Sequence, residues 1–140
     1  MINYKYFRDE IPVEVIEDIC NSLIVACDCE TTSKNLSRGM EFGLDSHLGQ
    51  IRLLQLATVN HCYIFDFLTL PEYEKIKVRK CFKYIDVLIG FNFKFDTKFL
   101  FYEGVDPSDS RIIFDCMLAE QSIKKGLETG EDGEFTLKKV

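Results

Sequence analysis

Short apolar runs alternate along the chain with polar, turn-rich stretches. Ile11, Val15, Ile16 and Ile19 recur at three- and four-residue steps, which puts them on one side of a helix. Pro12 suits the first turn, where a missing N–H costs nothing, so the spacing predicts a short helix over residues 11–20. Residues 23–30 (LIVACDCE) are apolar and β-branched until they end in carboxylates; their pattern predicts a buried strand. Residues 31–49, rich in Thr, Ser, Asn and Gly, read as a loop. A second strand follows at 51–58, apolar apart from Arg52 and Gln55, and a third at 62–65. The turn at Asn60 and His61 is so short that an antiparallel hairpin is expected. Pro71 opens a helix whose Val78, Cys81, Phe82 and Ile85 fit an apolar stripe. A fourth strand is expected at 87–91, a helix capped by Asn92 and running to about Tyr102, a fifth strand at 112–114, and a helix from Asp115. Residues 126–133 read as an acidic loop and 135–140 (FTLKKV) as the start of a further helix. The order implies an α/β domain with a mixed five-stranded sheet flanked by helices.

At 140 residues the chain is the size of one domain, taken as 1–140. With 46% hydrophobic and 29% charged residues it can bury a real core. A net charge of −6 disfavours a broad basic nucleic-acid face. It leaves room for an enzyme that grips a few nucleotides, and carboxylates that hold metal would themselves add negative charge. The six cysteines (Cys20, Cys27, Cys29, Cys62, Cys81, Cys116) show no C-x-x-C pair and no zinc spacing. They read as small core hydrophobes in a reducing compartment. Residues 1–10 lack the apolar core of a signal peptide. No run approaches the roughly 20 apolar residues of a membrane span. A cytosolic protein without a membrane partner is expected.

Two segments carry chemistry. Asp28 and Glu30 stand two apart at a strand end, so they share a face. Neighbouring carboxylates there repel unless a cation neutralises them, and Mg²⁺ takes such hard oxygen ligands. Taken alone, the pair also fits a solvated strand end. The second segment is 90–96 (GFNFKFD), a strand-to-helix turn. Asn92 and Asp96 are four apart and would share a helical face. Asn92 equally suits a plain helix cap, Asp96 a first-turn acid that favours the helix dipole, and Phe95 a core aromatic. Ligands of open α/β sheets gather beyond strand ends, so the two strands could present Asp28, Glu30 and Asp96 to one site.

Together these features resemble the DEDD superfamily of 3′–5′ exonucleases on the ribonuclease H-like fold. The likeness is to the proofreading domain of DNA polymerase I, with RNase D as a near relative. Motif one, D-x-E-T, stands here as Asp28-Cys29-Glu30-Thr31. Motif two, N-x-K-(Y/F)-D, stands as Asn92-Phe93-Lys94-Phe95-Asp96. Residues 51–57 (IRLLQLA) and 114–119 (FDCMLA) match further family segments, and the likeness spans roughly residues 20–140. It implies two divalent ions, Mg²⁺ or Mn²⁺, held by Asp28, Glu30 and Asp96 as three of four catalytic carboxylates. Thr31, Asn92 and Phe95 would contact the terminal nucleotide. The implied substrate is the 3′ end of single-stranded DNA, with RNA as the alternative.

The family's third motif, Y-x-x-x-D or H-x-x-x-D on a later helix, is not found. Tyr102 and Asp106 have the spacing, but Gly104 and Pro107 break the helix it needs. His47 falls in the long loop and His61 in the hairpin turn. The resemblance therefore implies a domain incomplete at its C-terminus. A polymerase chain or a C-terminal fragment would supply the rest. The alternative function is a non-catalytic ribonuclease H-like module that binds nucleic acid or a partner polymerase chain.

Overall fold

The apolar runs become strands and the periodic segments helices, close to where the pattern puts them. The structure is a computed structural model that describes residues 3–35 and 40–126. The elements are β1 (Asn3–Phe7), α1 (Val13–Cys20), β2 (Ile24–Ser33), β3 (Gly49–Ala57), β4 (His61–Asp66), α2 (Glu72–Cys81), β5 (Val87–Gly90), α3 (Lys94–Tyr102), β6 (Ile112–Asp115) and α4 (Cys116–Gly126). Among the described residues, the strands form one six-stranded sheet in the order β1-β4-β3-β2-β5-β6. The β2–β3 and β3–β4 pairs are antiparallel. The β2–β5, β5–β6 and β1–β4 pairs are parallel.

All five expected strands are present, and β1 is a sixth. It lies parallel to β4 at the sheet edge, and four of its five residues are exposed. With no buried face it has no alternation for periodicity to detect. It is held by backbone bonding and by the Tyr6 hydroxyl, which donates to Asp66. The loop expected over 31–49 is shorter than that, because Thr31–Ser33 continue the ladder opposite Ile51–Gly49. Threonine tolerates strands well. A short 3-10 turn at Met40–Leu44 then leads into β3. Pro12 and Pro71 each stand just before their helix rather than inside it. The expected loop beyond residue 126 and the helix at 135–140 lie outside the described residues.

The core sits on one side of the sheet. Val25, Cys27 and Cys29 of β2 point into it with Leu54, Leu56, Phe65 and Leu88. Val15 and Ile19 of α1, Val78 and Cys81 of α2, and Phe99 and Leu100 of α3 cover them. Each such side chain contributes roughly 1.5–3 kcal/mol by leaving water. Buried Glu74 accepts the Ile11 N–H at 3.3 Å and pairs with Lys77 at 2.6 Å, which ties α2 to the entry of α1. All six cysteines are free thiols. No helix among the described residues is long and apolar enough to cross a membrane.

Candidate active site

β2 alternates strictly until Glu30. Val25, Cys27 and Cys29 are buried, while Ala26, Asp28 and Glu30 face out on the opposite side. The motif-one carboxylates thus share the uncovered face. Beyond Glu30 the β3 register slips: Leu53 lies opposite Glu30 and Ile51 opposite Thr31, with Arg52 as the extra residue. Such a bulge bends the ladder and re-aims side chains. Thr31 follows it, and its hydroxyl donates to the Gly43 carbonyl at 2.7 Å. Thr31 therefore fastens the 3-10 turn to β2.

β5 pairs with β2 only from Ile24 to Ala26. Past that point the β5 side of β2 is open, and the Cys29 N–H finds another acceptor. That acceptor is Asp96, in the first turn of α3, at 2.8 Å. A single bond therefore docks the motif-two carboxylate onto the peptide between Asp28 and Glu30. Asp96 is only 4% exposed. Burial pushes its carboxyl up to about 6; the Cys29 N–H opposes the shift and the charge of Asp28 adds to it. Asp28 is also raised above the ordinary carboxylate range by burial. The Gln55 amide donates to Asp28 at 3.3 Å.

The turn from β5 to α3 is tight for a visible reason. A Cβ on Gly90 would come 2.1 Å from the Phe93 ring. Asn92 takes a φ of 52°, a left-handed conformation that asparagine adopts more readily than most residues. Asn92 is thus not the cap of α3, whose N-cap position is Phe93, without a side-chain cap. Nor do Asn92 and Asp96 share a helical face, because the turn leaves helical geometry at Asn92. The capping acceptor comes from another element. Asp115, at the end of β6, accepts the N–H groups of Asn92 (3.0 Å) and Phe93 (2.8 Å), and that of Met117 (2.9 Å) at the start of α4.

Asp28 and Asp96 are near enough for the charge of one to act on the other, and Glu30 shares the strand face of Asp28. Among the described residues, no three His, Cys, Asp or Glu side chains converge closely enough to hold a metal ion. Asp96 is turned toward the Cys29 N–H. Phe95 is half-buried, packs on Phe99 with ring centroids 5.0 Å apart, and borders a cleft beside α3. Asn92 is exposed beside it. His47 lies against Tyr102 and His61 against Asp18, so neither reaches the carboxylates.

Comparison with known families matches residues 6–133 to the model described as 3′–5′ exonuclease. The chain belongs to the 3′–5′ exonuclease family. Its motifs and fold place this exonuclease domain in the DEDD superfamily. Curated protein sequences give no match. The EXO domain of Aedes aegypti Nibbler superposes with a TM-score of 0.67 at 16% identity, over 96% of this chain and 65% of that one. Trypanosoma brucei RNase D, solved in complex with RNA U12, superposes at 0.65 and 18% identity, over 88% and 40%. Escherichia coli RNase D, an exoribonuclease involved in structured RNA processing, superposes at 0.53 and 15% identity, over 72% and 24%. The exonuclease domain spans about two thirds of the Nibbler domain and less than half of either RNase D. These likenesses establish the ribonuclease H-like fold.

Two residues that hydrogen-bond to the candidate site, Asp115 and Gln55, were not singled out by the sequence. Asp115 had a signal, because it lies in the FDCMLA segment. Its role depends on which turn it reaches, and only the β5–β6 pairing reveals that. Gln55 had a weaker one, as a polar residue interrupting an apolar strand.

Proposed function

We propose that this domain removes nucleotides from the 3′ end of a single strand, with Asp28 and Asp96 at the centre of the reaction and Glu30 as a third carboxylate. The observation that carries the reading is the docking of buried Asp96 on the Cys29 N–H beside Asp28. Two carboxylates so placed, both raised in pKa, form an anionic pair that a divalent cation would relieve. The donor set fits Mg²⁺ or Mn²⁺, since Mg²⁺ commonly uses one or two carboxylates and takes its other ligands from water and phosphate. Bound there, as one ion or as the family's two, the metal would supply an activated water and charge neutralisation at the scissile phosphate.

The chain's own residues supply placement. Cys29 N–H fixes Asp96, Gln55 orients Asp28, and Asp115 holds the turn that carries Asn92. Thr31, Asn92 and Phe95 are the residues assigned to the terminal nucleotide, with Phe95 offering an apolar surface to sugar or base. The form of motif two favours DNA. The RNA bound to the T. brucei RNase D makes RNA the substrate to set beside it. The deciding experiment titrates Mn²⁺ and Mg²⁺ against 3′- and 5′-labelled DNA and RNA oligonucleotides. Metal-dependent shortening from the 3′ end by wild type, and its loss in Asp28→Ala, is the expected result. Equal degradation by both proteins would remove Asp28 from the site.

A second reading has one observation in its favour. The uncovered sheet face holds an open, largely apolar groove of about 490 Å³ beside Asp28, bordered by Ala26, Ile89, Phe91 and Cys116. A polymerase chain or a further polypeptide segment covering it would make the domain a binding module whose site is completed on assembly. Inactivity alone, with activity restored by such a chain, would favour this reading.

A further inference from the structure

The two edges of the sheet are built differently. β1 forms one edge and carries Lys5 at its centre, and a lysine on an edge strand is a common guard against pairing with another chain. Among the described residues β6 forms the other edge, and it has no such guard. Its residues are Ile112, Ile113, Phe114 and Asp115, and the first three are between 45 and 51% exposed. Side chains alternate across a strand, so both faces of β6 are open as well as its edge. The Ile112 N–H donates to the Asp86 carbonyl at 2.8 Å, toward β5. Backbone groups of successive strand residues point to opposite sides, so those of Arg111, Ile113 and Asp115 point to the free edge. Leu118, 56% exposed, extends the apolar surface onto α4, where it borders a groove of about 550 Å³ with Ile113 and Phe114.

This edge is complementary to itself. In an antiparallel pair centred on Ile113, that residue faces its own copy, Ile112 faces the second copy's Phe114, and exposed Arg111 faces the second copy's Asp115. The centre falls on a residue whose N–H and C=O point outward, as a hydrogen-bonded antiparallel pair requires. Aromatic–β-branched pairs and opposite-charge pairs across strands both stabilise a sheet, and twofold symmetry makes each of them twice. Asp115 already accepts three N–H groups, which leaves about one of a carboxylate's roughly four acceptor positions for the guanidinium. Centring the pair on Arg111 or on Asp115 would instead set like charges together. A second copy fits this edge better than an unrelated strand, because the opposite charges stand at equal distances from Ile113. We propose that β6 is a dimerisation edge, at which two copies of this chain pair β6 to β6 antiparallel and run their sheets together. The contact is isologous and uses up the unguarded edge, so assembly closes at two chains. It does not rest on the exonuclease reading.

The test is sedimentation velocity on the full chain over a concentration series. Wild type should pass from one chain to two as concentration rises. Ile113→Pro removes the central outward N–H and keeps the bond from Ile112 to Asp86, a place where an edge strand tolerates proline; it should stay monomeric throughout. Arg111→Glu sets like charges across the pair twice and should raise the dissociation constant by about tenfold or more. Thermal melts matching wild type would show that both variants are folded, and Arg111→Glu carries the test if Ile113→Pro does not fold. Wild type that stays monomeric overturns the proposal, as it would if another segment or another protein took that edge. So does a dimer that the folded variants retain undiminished, or an assembly that grows beyond two chains.

Discussion

The two faces of β2 make opposite demands on one strand. Inward, Val25, Cys27 and Cys29 are almost fully buried among apolar neighbours. Outward, Ala26, Asp28 and Glu30 sit on a face that no described helix of the core covers. The inner face stabilises the fold by excluding water. The outer one concentrates negative charge, which costs stability until something neutralises it. A strand can serve both ends because its side chains alternate, so each residue answers to one face only.

The sharpest way to separate the faces is to change one residue on each. Asp28→Ala should lower 3′-end hydrolysis by on the order of a thousandfold, ~4 kcal/mol of transition-state stabilisation. Its melting temperature should stay level or rise, since an anion beside Asp96 is removed. A matching fall in stability would show that Asp28 is structural. Leu54→Ala, opposite Cys29 in the ladder and fully buried, should do the reverse. Chemical denaturation should show a loss of about 2–5 kcal/mol, with the activity per folded molecule retained. If that activity falls in step, the faces are coupled and the division fails.

Asp115 tests whether the outer site has its own scaffold. Its carboxylate accepts three backbone N–H groups from two different strand-to-helix junctions. Asp115→Asn keeps the size and loses part of that acceptor capacity. The expected result is a fall in hydrolysis of about ten- to a hundredfold, the usual range for groups that hold ligands in place. It should appear in kcat and in the Mn²⁺ concentration needed for half-maximal rate, with KM for a long oligonucleotide unchanged. A purely structural role would lower the melting temperature and leave that metal requirement alone.

How far these arrangements were legible varies with the kind of signal. The four strands β2 to β5 were readable because burial imposes a pattern on apolar residues, and β6 was readable as a short apolar run although its side chains lie outside the core. β1 was not, because an edge strand exposed along its length is specified by backbone pairing. Asp28 and Glu30 could be put on one face from alternation alone. The contact between Asp96 and Cys29 could not be foreseen, because it arises where β5 stops pairing with β2. Asn92 misled for a physical reason: an asparagine before a helix suits a cap, and it also suits the left-handed conformation that this turn needs. Separation of the two required the acceptor on Asp115, twenty-three residues away. Residues 31–49 read as a loop, and the placing of 44–47 as a wall of the cleft beside α3 depends on tertiary packing.

The smallest effect is the most specific to the outer face. Folding raises the Asp96 carboxyl from 3.8 to about 6, chiefly by burial. A raised value means that the folded state holds the proton more tightly than the unfolded one. Its contribution to stability is therefore complete below about 4 and is lost as pH rises through about 6. In metal-free buffer, wild type should melt at a lower temperature at pH 7.5 than at pH 5. Asp28, raised in the same direction, adds to the trend. Asp96→Asn should remove the Asp96 part of this slope, and the difference between the two melting curves isolates it from other titrating groups. A cation reverses the preference by favouring the ionised form, so the stabilisation by Mn²⁺ should grow between pH 5 and pH 7.5. The inner-face variant Leu54→Ala should keep the wild-type slope at a lower overall stability. If Asp96→Asn keeps that slope too, the charge penalty belongs elsewhere, and the contrast between the faces rests on packing alone.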